Sequence, residues 1–287
     1  MNQLMFVIRL FIQSIIFTFR NAQLFLYIGI YTVAHFLVNR FIFPSLQINA
    51  QTINEQFNIQ ANYYAGITSS LSSLALLSFV FNIVSFFIFY MLIAAITDYA
   101  SHLMHKRRES ILSSLKKSLL KIGRIIGYLG LTAIFAIFGP ILSFVTYRLI
   151  IYPLHLWDPS RMSLIAIFIV MVLIALFYSF YEVITFYFFP AITIDNMHFV
   201  AALKQSWKTV KKTIFAIIGV LLLWATITVA LTMVKPASTS ANINIMFGAT
   251  LLTMIGSILS WTIITVFKTM LYEKTHGSLP KTYDPEA

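Results

Sequence analysis

Apolar runs of about 20 residues recur along this chain with almost no charge inside them, and that feature constrains the fold most. A helix rises ~1.5 Å per residue and has to cover a ~30 Å hydrocarbon core, so each run has the length of a membrane-spanning helix. Composition points the same way. Of 287 residues, 59% are hydrophobic and only 10% charged, against about 25% charged in a soluble domain. Spans are expected near 22–43, 71–96, 125–150, 162–190, 213–234 and 245–271. Pro44, Pro153, Pro190 and Pro236 fall at or beyond span ends, where a missing N–H costs least. Gly139-Pro140 lies inside the third span, which predicts a kink or a broken helix there.

The basic residues orient these spans. Arg9, Arg20, Lys106, Arg107, Arg108, Lys116, Lys117, Lys121, Arg124, Lys204, Lys208, Lys211, Lys212, Lys268, Lys274 and Lys281 fall on one side. Arg40, Arg148, Arg161 and Lys235 fall on the other. Short loops rich in Lys and Arg stay in the cytoplasm, so both termini are expected on the cytoplasmic side of the membrane. The net charge of +11 is therefore read as attraction to anionic headgroups, not to nucleic acid. The first residues lack a basic region and a small-residue cleavage site, and Arg9 interrupts their apolar stretch, so no signal peptide is expected. The stretch 44–70 is rich in Asn and Gln and reads as a solvated outer connector.

A repeat organises the basic side. ILSSLKKSLLKIGRII from Ile111 aligns without gaps to FVAALKQSWKTVKKTI from Phe199. Leu112, Leu115, Leu119, Ile122 and Ile126 follow a 3,4,3,4 spacing, and Val200, Leu203, Trp207, Val210 and Ile214 repeat it in register. Such spacing marks one face of a helix. A weaker copy opens the chain, with Ser14 six residues before Arg20, as Ser118 precedes Arg124 and Ser206 precedes Lys212. The expected architecture is all-α: six transmembrane helices in three parallel repeats, each a basic interfacial helix followed by two spans. The repeats cover about 1–98, 108–190 and 195–272 of one membrane domain, leaving a polar tail over 273–287. Each basic helix is expected to lie in the interface, with its apolar face in the acyl boundary and its cations at the headgroups.

The segment FFPAITIDNMHFVAALKQSWKTVKKTIFAIIGVLLL resembles the YciC-like bacterial inner-membrane proteins and the related membrane domain found fused to glycerophosphoryl diester phosphodiesterases. The resemblance rests on Phe189-Pro190-Ala191, Asp195, Ala202-Leu203-Lys204, Ser206-Trp207 and the apolar run from Ile214. It implies six helical spans and no diesterase activity, since that chemistry belongs to a separate soluble domain.

Candidate functional residues fall into two groups. Lys116, Lys117, Lys121, Arg124, Lys204, Lys208, Lys211 and Lys212 are expected to meet anionic headgroups, with Trp207 setting the depth. Glu182, His35 and Asn82 are polar groups inside spans. Such residues pair across helices or line a path. Arg124, Arg20 or Lys212 is the expected partner of Glu182, while Asp98 and Asp195 read as helix caps. His102 and His105 are three residues apart, but no acid is expected at a fitting spacing and no metal site with it. The chain has no Cys, and it shows no phosphate-cradling glycine loop, nucleophile elbow or paired carboxylates. Neither a cofactor nor an enzyme is expected. The expected partner is anionic phospholipid of the bilayer, with a permease or a membrane adaptor for another protein as alternatives.

Overall fold

The computed structural model describes residues 3–41, 64–107, 109–146, 148, 172, 177, 179–233 and 243–276. Outside them lie residues 44–63 of the expected outer loop, most of the fourth expected span, Arg108, Arg161, Lys235 and the tail from 277; the side chain of Lys212 is also not described. All described secondary structure is helical: α1 (Gln3–Arg20), α2 (Leu24–Phe41), α3 (Tyr64–Met104), α4 (Ile111–Leu120), α5 (Ile122–Thr146), α6 (Phe188–Thr193), α7 (Phe199–Met233) and α8 (Ile243–His276). Residues 179–185 form a further helical stretch leading into α6. Among these residues Val80–Met104, Ile122–Gly139 and Leu251–His276 are long and apolar enough to cross a membrane. The pair formed by α1 and α2 would add a fourth if counted as one bent unit. The chain is therefore an all-helical membrane protein.

Three chain breaks position everything at the basic end. The first separates α1 from α2 and turns the chain by 77°. Asn21 ends α1 there, its side-chain amide donating to the Phe17 carbonyl at 2.8 Å. The second follows α3. Lys106 adopts a left-handed φ of 54°, Arg107 N–H donates to His102 O at 2.9 Å, and Lys106 N–H donates to Leu103 O at 3.0 Å. This is a Schellman closure, with lysine where glycine is the usual choice. It folds the chain back so that Glu109 returns to the last turns of α3. Ser110 then caps α4, accepting from Ser113 N–H at 3.1 Å.

The third break precedes α6. Pro190 has no N–H for the Phe186 carbonyl and its ring crowds that carbonyl, so the helix cannot continue through residues 186–187. Ser206 of α7 mends the gap. Its hydroxyl donates to Ile184 O at 2.6 Å and accepts from Tyr187 N–H at 3.0 Å. All six residues of α6 are buried, with Tyr128 stacked on Phe188 at 5.0 Å and edge-on to Phe189 at 4.9 Å. The core is thus gathered at the basic end, around a segment that sequence spacing placed at a span terminus. Around it, α8 packs on α1, α2, α3 and α7, while α3 packs on α2, α4, α5 and α6.

One local expectation is narrowed. Of the kink or break expected at Gly139-Pro140, the break is absent: α5 runs through both residues as helix, since a membrane helix tolerates the loss of one backbone bond. Of the pair Gly123 and Gly127, only Gly127 permits a close approach. A Cβ there would stand 2.9 Å from the Phe199 ring, whereas one at Gly123 meets nothing within 4 Å.

Candidate functional site

The first two basic helices have three faces, not two; on α7 the expected apolar stripe is instead taken up by the protein, with Val210 buried and Leu203, Trp207 and Ile214 packed against the core. In α4 and the start of α5, Ser114, Ser118 and Ile125 are buried against the protein. Leu112, Leu119, Ile122 and Ile126 point away from it, Leu112 being 75% exposed and Ile126 56% exposed. Lys117, Lys121 and Arg124 occupy the remaining sector. α1 is built alike: Val7, Leu10, Ser14 and Phe17 face inward, while Met5, Ile8, Ile12, Ile16 and Phe19 form an outward apolar stripe. The aligned serines Ser14, Ser118 and Ser206 are all fully buried, because only a small side chain lets the helix backbone lie close to its neighbour. An outward apolar stripe is costly in water, and it is the surface a helix presents when it rests in acyl chains.

Only part of the expected headgroup set is free to meet lipid. Lys116, Lys204, Lys208 and Lys211 are exposed, with the Lys211 ammonium 5.0 Å from the Trp207 ring centroid. Lys121, Arg124 and Lys117 turn inward instead. Lys121 Nζ donates to Thr193 O at 2.7 Å. Burial pushes the Lys121 ammonium below the ordinary lysine value, helped by the nearby charges of Arg124 and Lys117 and opposed by Asp98. Arg124 donates to Asn196 Oδ1 at 2.6 Å. These contacts hold α4 and α5 onto the linker after α6, a structural role that helical spacing could not distinguish from lipid binding.

An apolar cleft of about 470 Å³ opens between α2 and α3 beneath α4. Ile111 and Leu115 of α4 form its basic end, and Ile30, Ile88 and Leu92 line its walls. His35 and Ser85 lie deeper, joined across the helices by a 3.1 Å contact between His35 Nδ1 and Ser85 Oγ. The His35 ring is sandwiched by Tyr31 and Phe81 at 5.6 and 5.7 Å. Asn82 lies on the exposed side of α3.

Glu182 meets Lys268 of α8, its carboxylate 3.6 Å from the ammonium, whereas Arg124, one of its expected partners, goes to Asn196. Lys268 also lies 4.9 Å from the Phe186 ring centroid. The pair borders a small cavity of about 40 Å³, also lined by Tyr90, Thr97, Tyr128 and Thr185. That is room for a few waters at most, on the rule that one needs about 10–15 Å³.

The second chain break gathers a polar cluster that the sequence reading missed. Asp98 lies inside α3 and so does not cap the helix that follows, whose cap is Ser110. It precedes His102 by four residues, which places both on one helix face, and that spacing was the available signal. Glu109 arrives from the fold-back: its Oε2 is 2.7 Å from His102 Nε2, while Lys117 Nζ is 2.7 Å from Glu109 Oε1. Asp195 is likewise no cap, since its carboxylate accepts from the Tyr272 hydroxyl. His105 leaves the cluster and pairs with Glu273 Oε2 at 2.9 Å.

Burial alone would raise the Glu109 carboxyl. Hydrogen bonds from Lys117 and Ser113, and the charges of His102 and Lys117, outweigh it and hold the group below the usual carboxylate range. A lowered folded value contributes stability that is complete above the unfolded carboxylate value and disappears as pH falls through the folded one. Thermal unfolding followed from pH 7 to pH 3 should therefore show a larger acid loss in wild type than in Glu109→Gln. Parallel curves for the two proteins would mean that Glu109 contributes nothing to the acid limb.

No family model, curated protein or solved structure matches the chain.

Proposed function

We propose that this chain is a non-enzymatic inner-membrane protein that organises, senses or handles anionic lipid at the cytoplasmic leaflet. In this reading six spans form three parallel repeats with both termini inside, as in the YciC-like proteins the sequence resembles. The observation that carries it is the outward apolar stripe on α1 and on α4 with the start of α5, built on helices whose inner faces are already occupied. A basic helix serving only as a topology signal needs no such face. Lys116, Lys204, Lys208 and Lys211 are the exposed cations that would meet headgroups, each contributing roughly 1 kcal/mol near an anionic surface. The apolar cleft between α2 and α3 is of a size to take an acyl chain, with its basic end beneath α4.

A second reading, a permease, is favoured by one observation: the Glu182–Lys268 pair beside a polar-lined cavity. Its small volume makes it the weaker of the two.

Native mass spectrometry of the purified protein with its retained lipids separates them. The Lys116, Lys204, Lys208 and Lys211 to Gln variant is expected to lose anionic lipid selectively while zwitterionic lipid stays. Equal and unselective lipid in variant and wild type would remove the support for lipid handling and turn attention to Glu182 and Lys268.

A further inference from the structure

The cluster at the end of α3 has more ligand chemistry than an ion pair requires. His102 Nε2, a carboxylate oxygen of Glu109 and one of Asp98 all lie within 4.8 Å of one another. Two of these groups come from successive turns of one rigid helix, and the third is fixed by the Schellman closure and the Ser110 cap. Ser113 Oγ donates to Glu109 Oε1 at 2.6 Å and orients that carboxylate from behind.

Asp98 supplies an independent indication. The residue is 6% exposed, and its Oδ2 is buried without a hydrogen-bond partner. That atom is aimed into the cluster, 3.8 Å from both His102 Nε2 and Lys117 Nζ. These are ion-pair distances, too long for a hydrogen bond. A buried carboxylate oxygen held short of its neighbours is under-satisfied, and such a group needs a cation or a donor to offset its desolvation.

The atom nearest the centre of the three ligands is the Lys117 ammonium. Its Nζ lies 2.8 Å from Glu109 Oε2, 3.1 Å from His102 Nε2 and 3.8 Å from Asp98 Oδ2. It sits where an ion bonded to all three would sit. It is also the accessible member, its side chain 41% exposed while that of Asp98 is 9%. The basic stem can therefore leave toward solvent or headgroups while the ligands stay.

We propose that Asp98, His102 and Glu109 form a binding site for a divalent first-row transition ion, with the Lys117 ammonium as a tethered competitor for the same position. One imidazole and two carboxylates suit a borderline ion such as Zn²⁺, whereas an ion of Mg²⁺ type prefers an all-oxygen shell. Bonds to zinc run at about 2.0–2.2 Å. The three ligand atoms would then settle at a more even spacing than they have with lysine between them, a shift within side-chain reach. Water completes the fourth position. An incoming ion also expels Lys117 by charge repulsion, which adds one more exposed cation to the row begun by Lys116.

The test uses the full chain, untagged and stripped with a chelator, in equilibrium dialysis against Zn²⁺ with bound metal counted by mass spectrometry. Lys117→Gln should bind one equivalent that the double variant Lys117→Gln with His102→Ala does not bind. Wild type should take up the same equivalent at least about tenfold more weakly, since ~1.4 kcal/mol spent displacing the ammonium corresponds to that factor. A His198→Ala control, changing an exposed histidine away from the cluster, should leave the equivalent in place. Size exclusion checks that each variant is folded, and Asp98→Asn with Lys117→Gln takes the place of the double variant if that fails. The proposal is overturned if Lys117→Gln binds no more zinc than the ligand-deficient variant. Wild type binding as tightly as Lys117→Gln would equally overturn it, because the lysine would then not be competing.

Discussion

Replacing His105 with alanine is expected to destabilise the protein by about 2 kcal/mol, the order for losing a hydrogen bond to a charged group, since the imidazole is 26% exposed and the full cost of breaking a buried pair does not apply. Glu273 lies on α8 with no exposed surface, and His105 Nε2 stands 2.9 Å from its Oε2. Ser101 also reaches this carboxyl, which limits the loss. Removing both partners should be far milder than removing one. A His105→Leu, Glu273→Met variant removes both members of the pair together, and exchanges of this kind are often neutral. The check is thermal unfolding in detergent of wild type, His105→Ala and the double variant. A His105→Ala protein that melts with wild type would show that the carboxyl is satisfied without the histidine.

The second large effect separates three serines that look equivalent. Ser14, Ser118 and Ser206 align across the repeats and all are fully buried. Ser14 and Ser118 only donate back to their own helix, to Phe11 O at 2.7 Å and Ser114 O at 2.9 Å. Ser206 instead bridges another segment, serving both Ile184 O and Tyr187 N–H at the break before α6. Changing Ser206 to alanine strands one buried and one partly buried backbone group, and leaving a buried group unsatisfied costs ~1–3 kcal/mol. About 2 kcal/mol is expected for Ser206→Ala, because the break can relax in part. For Ser14→Ala and Ser118→Ala a change within roughly 0.5 kcal/mol is expected, since alanine favours the helix and such back-bonding adds little. Unfolding midpoints of the three variants measured side by side decide this. Equal losses in all three would mean that burial of a small residue matters and the bridge does not.

The two predictions share a physical theme. At the basic end the chain leaves helical geometry three times, and each departure exposes backbone or charged groups that a neighbouring segment then satisfies. The same departures build the cluster of Asp98, His102, Glu109 and Lys117. Stability and candidate function are therefore concentrated where the helices stop, while the apolar lengths between them carry the chain across the bilayer.

What could be known without the fold was whatever repeats along a helix. The length and apolarity of the runs determined that the chain is helical and membrane-embedded. The 3,4,3,4 spacing in Leu112 to Ile126 marked an apolar stripe, and the structure shows its outer part exposed on α4 and α5. Periodicity tells which residues share a face, because that depends only on 3.6 residues per turn. It does not tell what the face meets. Lys117 and Lys116 are adjacent, yet one reaches Glu109 while the other is exposed. Glu182 needed a cation, and spacing could not select Lys268 over Arg124. Pro190 marked the end of a span by sequence, but its consequence, a buried six-residue helix held by Ser206, required α7 to be in place. Contacts between segments far apart in the chain depend on how breaks aim the helices, and a break's direction is set by tertiary packing.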